Sequence, residues 1–493
     1  MNSLSYFKLN DTVEKLRAEV RTLGSLNPYL SDRHNSDNPK FDTGTEDKTF
    51  SQRFINRKNL PLYYGQRKLA ITEIFFFINY VHKLSLERGV KIDKPRTDPG
   101  NPEEMLGYNV IPSPVTILYV GAAPGKHIPF LYNLFPQYFY ILYDPGTLIR
   151  TVTPKGIVEY VEGFDHKLIS LAEKFNNIIL KQQFFTEEEY DFVRENTQRN
   201  SEGNGLLIFM SDIRTIPSKD EIKGVDKDRK KFLLDKELIN NQELQKSWVL
   251  ALNPDISMLK FKLPKSVLKS RTMSGEQDEE LSRMAEELSK DYPNIFTDDG
   301  GYSYLDGRIL IQPYLKSMSE ETRLIVTGDS RSSGSNLDKL KTYNIKDYEE
   351  KMFYHNVVER FQPFDVQPYK SMSGIISYDY CYEILTLDEY SKVANSIPSL
   401  FENIHQPRSG RQQGGIGNIN PESLSIRLTK ILGDETQVRF IKNRYRYLDD
   451  EYISEISDIE HSSSRFDIVQ HSPKLSYGMT VGMTDKLSFL DDL

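Results

Sequence analysis

Residues 117–127 read ILYVGAAPGKH, and the fold turns on this stretch. The apolar run around it, Val115 to Val120, is rich in the β-branched and aromatic residues that suit a buried strand. It breaks at Gly121-Ala122-Ala123-Pro124-Gly125, and an apolar-periodic segment follows with Ile128, Phe130, Leu131 and Leu134. A strand that ends in a glycine turn and enters a helix lets backbone approach a ligand at the strand's carboxyl end. Roughly twenty residues on, a second apolar run (138–143) ends in Asp144, where nucleotide-binding α/β folds put a ribose-binding carboxylate. Such a turn is often only a tight turn, so the spacing leaves both readings open. Pro124 and the missing third glycine argue against a dinucleotide. They fit a nucleoside held without a pyrophosphate, such as S-adenosylmethionine.

The pattern extends outward from this unit. Residues 115–330 alternate apolar runs with helical segments, as a doubly wound α/β sheet does. Strands are expected at 115–120, 139–143, 178–181, 206–211, 248–253, 257–261, 310–312 and 323–328. Two charged inserts, 218–246 and 274–290, read as solvated helices. Upstream, 63–86 predicts a long apolar helix carrying Gln66, Arg67 and Lys68 in its first turn. Residues 1–58 read as an arm: Val13, Leu16, Val20 and Leu23 predict one amphipathic helix, and 31–51 reads as loop or disorder. Downstream, 348–360 predicts a helix and 374–385 a strand-like segment. The expected organisation is therefore an arm (1–58), an α/β domain (59–365), a closing strand region (366–394), a flexible linker (395–423) and a small C-terminal extension with its tail (424–493).

Composition narrows the function classes. Of 493 residues, 38% are hydrophobic and 27% charged, and no apolar run looks long enough to span a bilayer. The N-terminus lacks the pattern of a signal peptide. A single cysteine, Cys381, excludes an internal disulfide and a multi-cysteine zinc site, and the eight histidines form no metal-ligand spacing. The expectation is a metal-independent intracellular protein without a membrane partner. The net charge of −8 argues against a nucleic-acid-coated surface. Locally, however, Lys260, Lys262, Lys265, Lys269 and Arg271 form a basic run without an acid.

Four short pieces stand in order along the chain: Gly65-Gln66-Arg67-Lys68, Ser211-Asp212-Ile213-Arg214, Leu259-Lys260 and Ser319-Glu320-Glu321-Thr322-Arg323-Leu324. With ILYVGAAPGKHI, LNP (252–254), IQPY (311–314) and YEEKMFY (348–354), the chain resembles the poxvirus-type cap-specific mRNA 2′-O-methyltransferase family. Members of that family also serve as the regulatory, or processivity, subunit of the viral poly(A) polymerase. The similarity covers about residues 60–360. It implies a Rossmann-like S-adenosylmethionine-dependent methyltransferase fold with an N-terminal arm and a C-terminal extension. It also implies capped mRNA as substrate, a poly(A) polymerase catalytic subunit as partner, and a large DNA virus that transcribes in the host cytoplasm and packages the protein in its virion.

Carried over by position, Lys68, Asp212, Lys260 and Glu321 match the family's catalytic tetrad. A ribose 2′-hydroxyl is a poor nucleophile at neutral pH and must lose its proton as it attacks. A lysine serves as base only when desolvation or a nearby cation lowers its pKa. Lys260 is the expected base, Lys68 the cation that depresses it, and Glu321 and Asp212 the groups that orient the lysines. Taken singly, each has an ordinary alternative. Lys68 could be a solvated first-turn lysine, Asp212 a cap, Lys260 a phosphate contact, and Glu321 the surface partner of Arg323. The resemblance further assigns Gln66, Tyr119, Gly121, Gly125, Asp144, Phe185 and Asp212 to the cofactor, with Phe184 read as a core aromatic. Glu349, Arg214, Lys262 and Lys265 are assigned to cap and RNA.

Cap recognition departs from the family pattern. Lys265 and Val267 stand where the family has an aromatic and a carboxylate, and Met318 stands where it has a tyrosine. Phe261, Tyr314 or Phe50 could supply a stacking ring, though each also reads as ordinary packing. His127 and Cys381 read as packed residues, and 439–447, which interleaves cations with aromatics, as an edge strand or an RNA contact. Three readings follow: a cap-specific 2′-O-methyltransferase, a non-catalytic polymerase subunit, and a 2′-O-methyltransferase of uncapped RNA.

Overall fold

In the computed structural model the run that opens the glycine turn is strand β1 (Val115–Val120), near the middle of a seven-stranded sheet. The structure describes residues 21–30, 65–89, 114–153, 156–199, 205–264 (except 216 and 218), 283, 286–288, 290–297, 301–328 (except 317 and 318), 340–365, 375–396 and 421–433. The other strands of the sheet are β2 (Phe139–Tyr143), β3 (Ile178–Lys181), β4 (Leu206–Ser211), β5 (Ile256–Phe261), β6 (Arg308–Leu310) and β7 (Thr322–Thr327). Their order is β6-β7-β5-β4-β1-β2-β3, with β7 antiparallel to both neighbours and β3-β2-β1-β4-β5 parallel. This is a Rossmann-like methyltransferase fold.

Helices cover both faces, which is why β1 reads as an unbroken apolar run rather than an alternating one. Ile117 and Tyr119 enter one core, Leu118 and Val120 the other. The first core is built with α1 (Gly65–Glu87), α2 (Ile128–Leu134), α3 (His166–Lys174), α7 (Tyr378–Ser396) and α8 (Pro421–Leu432). The second contains residues of α4 (Tyr190–Arg199), α5 (Lys227–Leu252) and α6 (Ile345–Val357). Contrary to expectation, α1 is long and apolar enough to cross a membrane by length and composition. Two thirds of that window (67%) is buried inside the protein, so its apolar surface is accounted for by the core.

The structure corrects several expectations. Residues 248–252 are not a strand but the last turns of α5, and the supposed solvated insert before them is the body of that same helix. The buried face of α5 is partly polar. Gln242 donates to the Lys262 carbonyl at 2.7 Å and accepts from the Tyr302 hydroxyl at 2.6 Å, while Gln245 donates to the Lys260 carbonyl at 3.2 Å. Polar core residues break the hydrophobic periodicity by which a packed helix is recognised. Among the described residues of the expected strand 374–385 only Ile375–Ser377 is extended, and α7 follows at once. Tyr378, Tyr380, Tyr382 and Ile384 imitate a two-residue period, yet α7 is buried on most sides, so its helical period is hidden.

The C-terminal segment is also placed differently. Helix α8 starts inside the stretch expected as linker and packs Leu424 and Leu428 into the first core. Strands at Thr147–Thr153 and Gly156–Glu162 form an unforeseen hairpin, and Gly301–Leu305 pairs with Leu340–Asn344. Part of the arm is tied down. Arg21–Thr22 pairs with Pro363–Asp365, and Leu30 donates to the Ile309 carbonyl at 3.0 Å. Leu23 lies in a short 3-10 turn, Leu23–Ser25. The helix expected around Val13, residues 397–420 of the linker expected at 395–423, and the 439–447 segment lie outside the described residues.

Candidate active site

The parallel strands deliver their carboxyl ends to one edge of the sheet, and the sequence places a functional residue type at almost every one. Gly121 follows β1, Asp144 follows β2, Asp212 follows β4, and Lys260 is the penultimate residue of β5. Strand β7 runs the other way, so its start lies at this same edge, with Arg323 registered opposite Lys260 and Thr322 opposite Phe261. Glu321 immediately precedes it.

Beta strands β1 and β4 are neighbours whose following turns lead to opposite sides, the arrangement that opens a crevice in such sheets. Their exits are tightly apposed. Gly121 has φ +84°, and a Cβ there would lie 2.8 Å from the Asp212 carbonyl carbon and from the Ile213 nitrogen. Its N–H donates to the Tyr143 carbonyl at 2.8 Å. Gly125, at φ +65°, would bring a Cβ to 2.9 Å from the Ala122 oxygen. Both glycines are thus required by conformation and by space. Asp144 braces the turn: its carboxylate accepts from the Ala123 N–H at 3.1 Å and the Gly146 N–H at 2.7 Å. Burial pushes its pKa up, against the effect of these two hydrogen bonds.

Beside this cradle the structure brings together all four tetrad positions. Lys68 Nζ lies 2.6 Å from Glu321 Oε1, and Lys260 Nζ lies 3.0 Å from Asp212 Oδ1 and 3.8 Å from Glu321 Oε2. Two further cations complete the group. Arg214 Nη2 is 2.8 Å from Glu321 Oε2, and Arg323 Nη2 is 2.8 Å from Asp212 Oδ1. Gln312 locks the last of these by accepting from Arg323 Nε at 2.9 Å. The Lys260 and Asp212 side chains are only 16% and 18% exposed, and those of Lys68 and Glu321 9%.

Four cations thus share two carboxylates in a poorly hydrated space. Burial lowers the Lys260 pKa; Asp212 and Glu321 pull it up, Arg214 and Arg323 push it down, and the result lies below that of an ordinary lysine. The main cationic contributions come from the two arginines, whereas the expectation gave that part to Lys68, which is held at Glu321 instead. Burial alone would raise both carboxyls. Arg323 and then Lys260 outweigh it at Asp212, and Lys260 and then Lys68 at Glu321, so both are held below the usual carboxylate range.

Arg323 and Gln312 were missed as site residues. The available signal was spacing: Arg323 stands two residues from Glu321, hence on the same side of an extended strand. The Arg323 side chain is buried, not the surface partner that an exposed Glu321 would have had.

The remaining expected residues divide. Gln66 is half-buried and faces His127, its Oε1 2.9 Å from Nδ1. The Tyr119 phenol lies beneath the turn and donates to Glu73 at 2.8 Å, and burial keeps it protonated by raising its pKa well above the ordinary value. Phe185 is buried among Tyr143, Tyr190 and Trp248, whereas its neighbour Phe184, read as core, is 70% exposed. Lys262 and Glu349 are half-buried, on the strand exit after β5 and on α6. Lys265, Val267, Met318 and Phe50 lie outside the described residues. Phe261 and Tyr314 are core rings, unavailable for stacking: Phe261 packs on Tyr304, Tyr343 and Tyr348, and Tyr314 donates to Glu383 at 2.7 Å. Cys381 is buried, and burial raises its thiol pKa. Among the described residues no group of three or more His, Cys, Asp or Glu could hold a metal ion.

Residues 108–270, which include Gly121, Gly125, Asp144, Asp212 and Lys260, match the family model described as the poly(A) polymerase regulatory subunit. Over 298 residues the chain is 24% identical to the cap-specific mRNA (nucleoside-2′-O-)-methyltransferase of fowlpox virus (strain NVSL), a match covering 59% of this chain and 76% of that protein. In sequence, therefore, the chain is similar to the poxvirus-type cap-specific mRNA 2′-O-methyltransferase and, over residues 108–270, to the poly(A) polymerase regulatory subunit family.

Proposed function

We propose that this protein transfers a methyl group from S-adenosylmethionine to the ribose 2′-hydroxyl of the first transcribed nucleotide of capped mRNA. The observation that carries the proposal is the convergence of Lys68, Asp212, Lys260 and Glu321 beside the glycine cradle. The residues present suit the cofactor. Asp144 braces the glycine turn at the strand ends, where a nucleoside would sit, and Asp212 provides negative charge for a sulfonium. Gly121, Gly125, Asp144, Gln66 and Asp212 would hold it. When bound, S-adenosylmethionine supplies an electrophilic methyl group.

The chain's own residues do the rest. Lys260, with its lowered pKa, takes the proton of the 2′-hydroxyl as the oxygen attacks. Asp212 fixes the direction of that amine, and Arg323 holds Asp212. Glu321 anchors Lys68, whose ammonium stabilises the developing negative charge on the oxygen. Holding hydroxyl and methyl in line can supply roughly 7–11 kcal/mol of the barrier. Arg214, Lys262 and Lys265 would meet RNA phosphates and Glu349 the cap guanine.

A second role, as regulatory subunit of a poly(A) polymerase, is favoured by the family model that matches residues 108–270. A third reading, methylation of uncapped RNA, draws support from the core positions of Phe261 and Tyr314, which leave the cap without either ring. On the resemblance alone, we place the protein's work in the host cytoplasm or viral factory, with packaging in the virion.

Methyl transfer to short capped and uncapped RNAs, run with Lys260→Ala alongside, tests all three readings. Transfer to capped RNA only, lost in the variant, supports the first. Equal transfer to both RNAs supports the third. No transfer to either, with a polymerase catalytic subunit still bound, leaves the second.

A further inference from the structure

Beneath the glycine turn lies a polar chain that the transfer chemistry does not use. Glu73 of α1 is fully buried within an otherwise apolar stretch of helix. Its Oε1 accepts from the Tyr119 hydroxyl at 2.8 Å, and its Oε2 is 2.9 Å from His127 Nε2. His127 begins α2 but makes no side-chain cap there. Its ring is buried, and the second nitrogen, Nδ1, is 2.9 Å from Gln66 Oε1. Burying a carboxylate and an imidazole in a core of Ala70, Ile74, Ile117 and Ile128 is unfavourable compared with aliphatic packing. Such an arrangement calls for a use.

We propose that His127, backed by Glu73, is a positioning residue that locks the Gln66 amide with its NH2 group turned toward the glycine turn, as a donor for the carboxylate of the cofactor's amino-acid tail. The inference rests on reading this turn as an S-adenosylmethionine site. A side-chain amide presents a donor on one side and an acceptor on the other, and rotation by half a turn exchanges them. What selects the orientation is the atom it meets inside. An amide oxygen can only accept, so Nδ1, the ring nitrogen that meets Gln66 Oε1, is the donor there, while Glu73 holds the opposite nitrogen. The Gln66 oxygen is thereby engaged inward and the NH2 group is directed away from the ring. Had the ring offered a bare nitrogen to Gln66, the amide would turn over. It would then present its carbonyl to the ligand, which repels a carboxylate. Tyr119 completes the device, because its hydroxyl occupies the other Glu73 oxygen and leaves Oε2 to His127.

The test compares two probes by calorimetry on the full chain: S-adenosylhomocysteine, and 5′-methylthioadenosine, which keeps the nucleoside and sulfur but lacks the amino-acid tail. His127→Phe, Glu73→Gln and Gln66→Leu should each weaken S-adenosylhomocysteine about tenfold, the effect of one charge-assisted hydrogen bond, and leave 5′-methylthioadenosine unchanged. The double variant H127F/Q66L should bind no worse than Q66L alone, because the imidazole acts only through the amide. Retained 5′-methylthioadenosine binding identifies a folded variant; if His127→Phe loses it, His127→Asn and Glu73→Gln decide. Equal loss for the two probes, no loss for S-adenosylhomocysteine, or additive effects in the double variant overturn the proposal. If the wild type binds neither probe, the cofactor reading itself falls and the inference falls with it.

Discussion

At Lys260 a single amine carries opposite demands. It must be charged to keep its place beside Asp212 and neutral to accept a proton. Burial and the Arg214 and Arg323 guanidiniums tilt it toward the neutral form. Under the proposed function, the methyl-transfer rate should rise with pH to a plateau whose midpoint lies below the ordinary lysine value of 10.5. Lys260→Met should lower the rate by about 10²–10⁴-fold while leaving S-adenosylhomocysteine binding intact. A stability effect of definite sign accompanies this. With its pKa lowered on folding, Lys260 releases its proton in the folded chain before the unfolded chain does, so its contribution grows as pH climbs from the folded value toward 10.5. The two carboxylates act at the other end of the scale. Held low by their cations, they contribute fully above about pH 5, the upper end of the unfolded carboxylate range, and that contribution is lost as pH falls through their folded values. Melting curves of wild type and Lys260→Met should therefore diverge between neutral and alkaline pH, and in acid as well, because the variant removes a cation that holds Asp212 and Glu321 low. A parallel alkaline limb would mean that Lys260 is an ordinary lysine.

At the scale of elements, the site is held from behind by the polar face of α5. Gln242 joins the Lys262 carbonyl to the Tyr302 hydroxyl, and Gln245 takes the Lys260 carbonyl, so the exit of β5 is clamped to the helix that precedes it. Gln242→Leu leaves two buried polar partners unsatisfied and should destabilise the fold by about 1–3 kcal/mol for each, measured by urea unfolding. A loss under about 0.5 kcal/mol, the range of a surface change, would mean that this face is not a clamp. The same helix marks the limit of what sequence discloses. Strands β1, β2 and β4 were legible because residues such as Ile117, Leu118, Ile141 and Ile208 announce burial on both faces and the runs end at glycine or aspartate. The four tetrad positions were legible through the resemblance. The interior polar contacts were not, because Gln242, Gln245, Gln312 and Glu73 look like surface residues until a partner is seen. Helix α7 was misread for the complementary reason: a helix buried on most sides has no polar face to give its period.

For the molecule as a whole, the C-terminal helix belongs to the support of the site rather than to an appendage. Arg67, next to Lys68 on α1, is fully buried. Its guanidinium donates to both oxygens of Glu383 on α7, at 2.5 and 2.7 Å, and to Ser425 at 3.0 Å and Thr429 at 3.2 Å on α8. Tyr314, between β6 and β7, donates to the same Glu383, and so ties α1, α7 and α8 to the segment that leads to Glu321. Removing one partner of a buried ion pair strands the other, so Glu383→Ala should destabilise the protein by about 3–5 kcal/mol. Glu383→Gln retains an acceptor for Arg67 and should lose less. Ser425→Ala with Thr429→Val removes two neutral acceptors at about 1 kcal/mol each. If α8 is a buttress for Lys68, truncation before Pro421 should lower both the melting temperature and the methyl-transfer rate, and the Ser425/Thr429 pair should move both in the same direction by less. A truncated chain that melts and transfers like the full one would make α8 a passenger and detach Arg67 from the site's support.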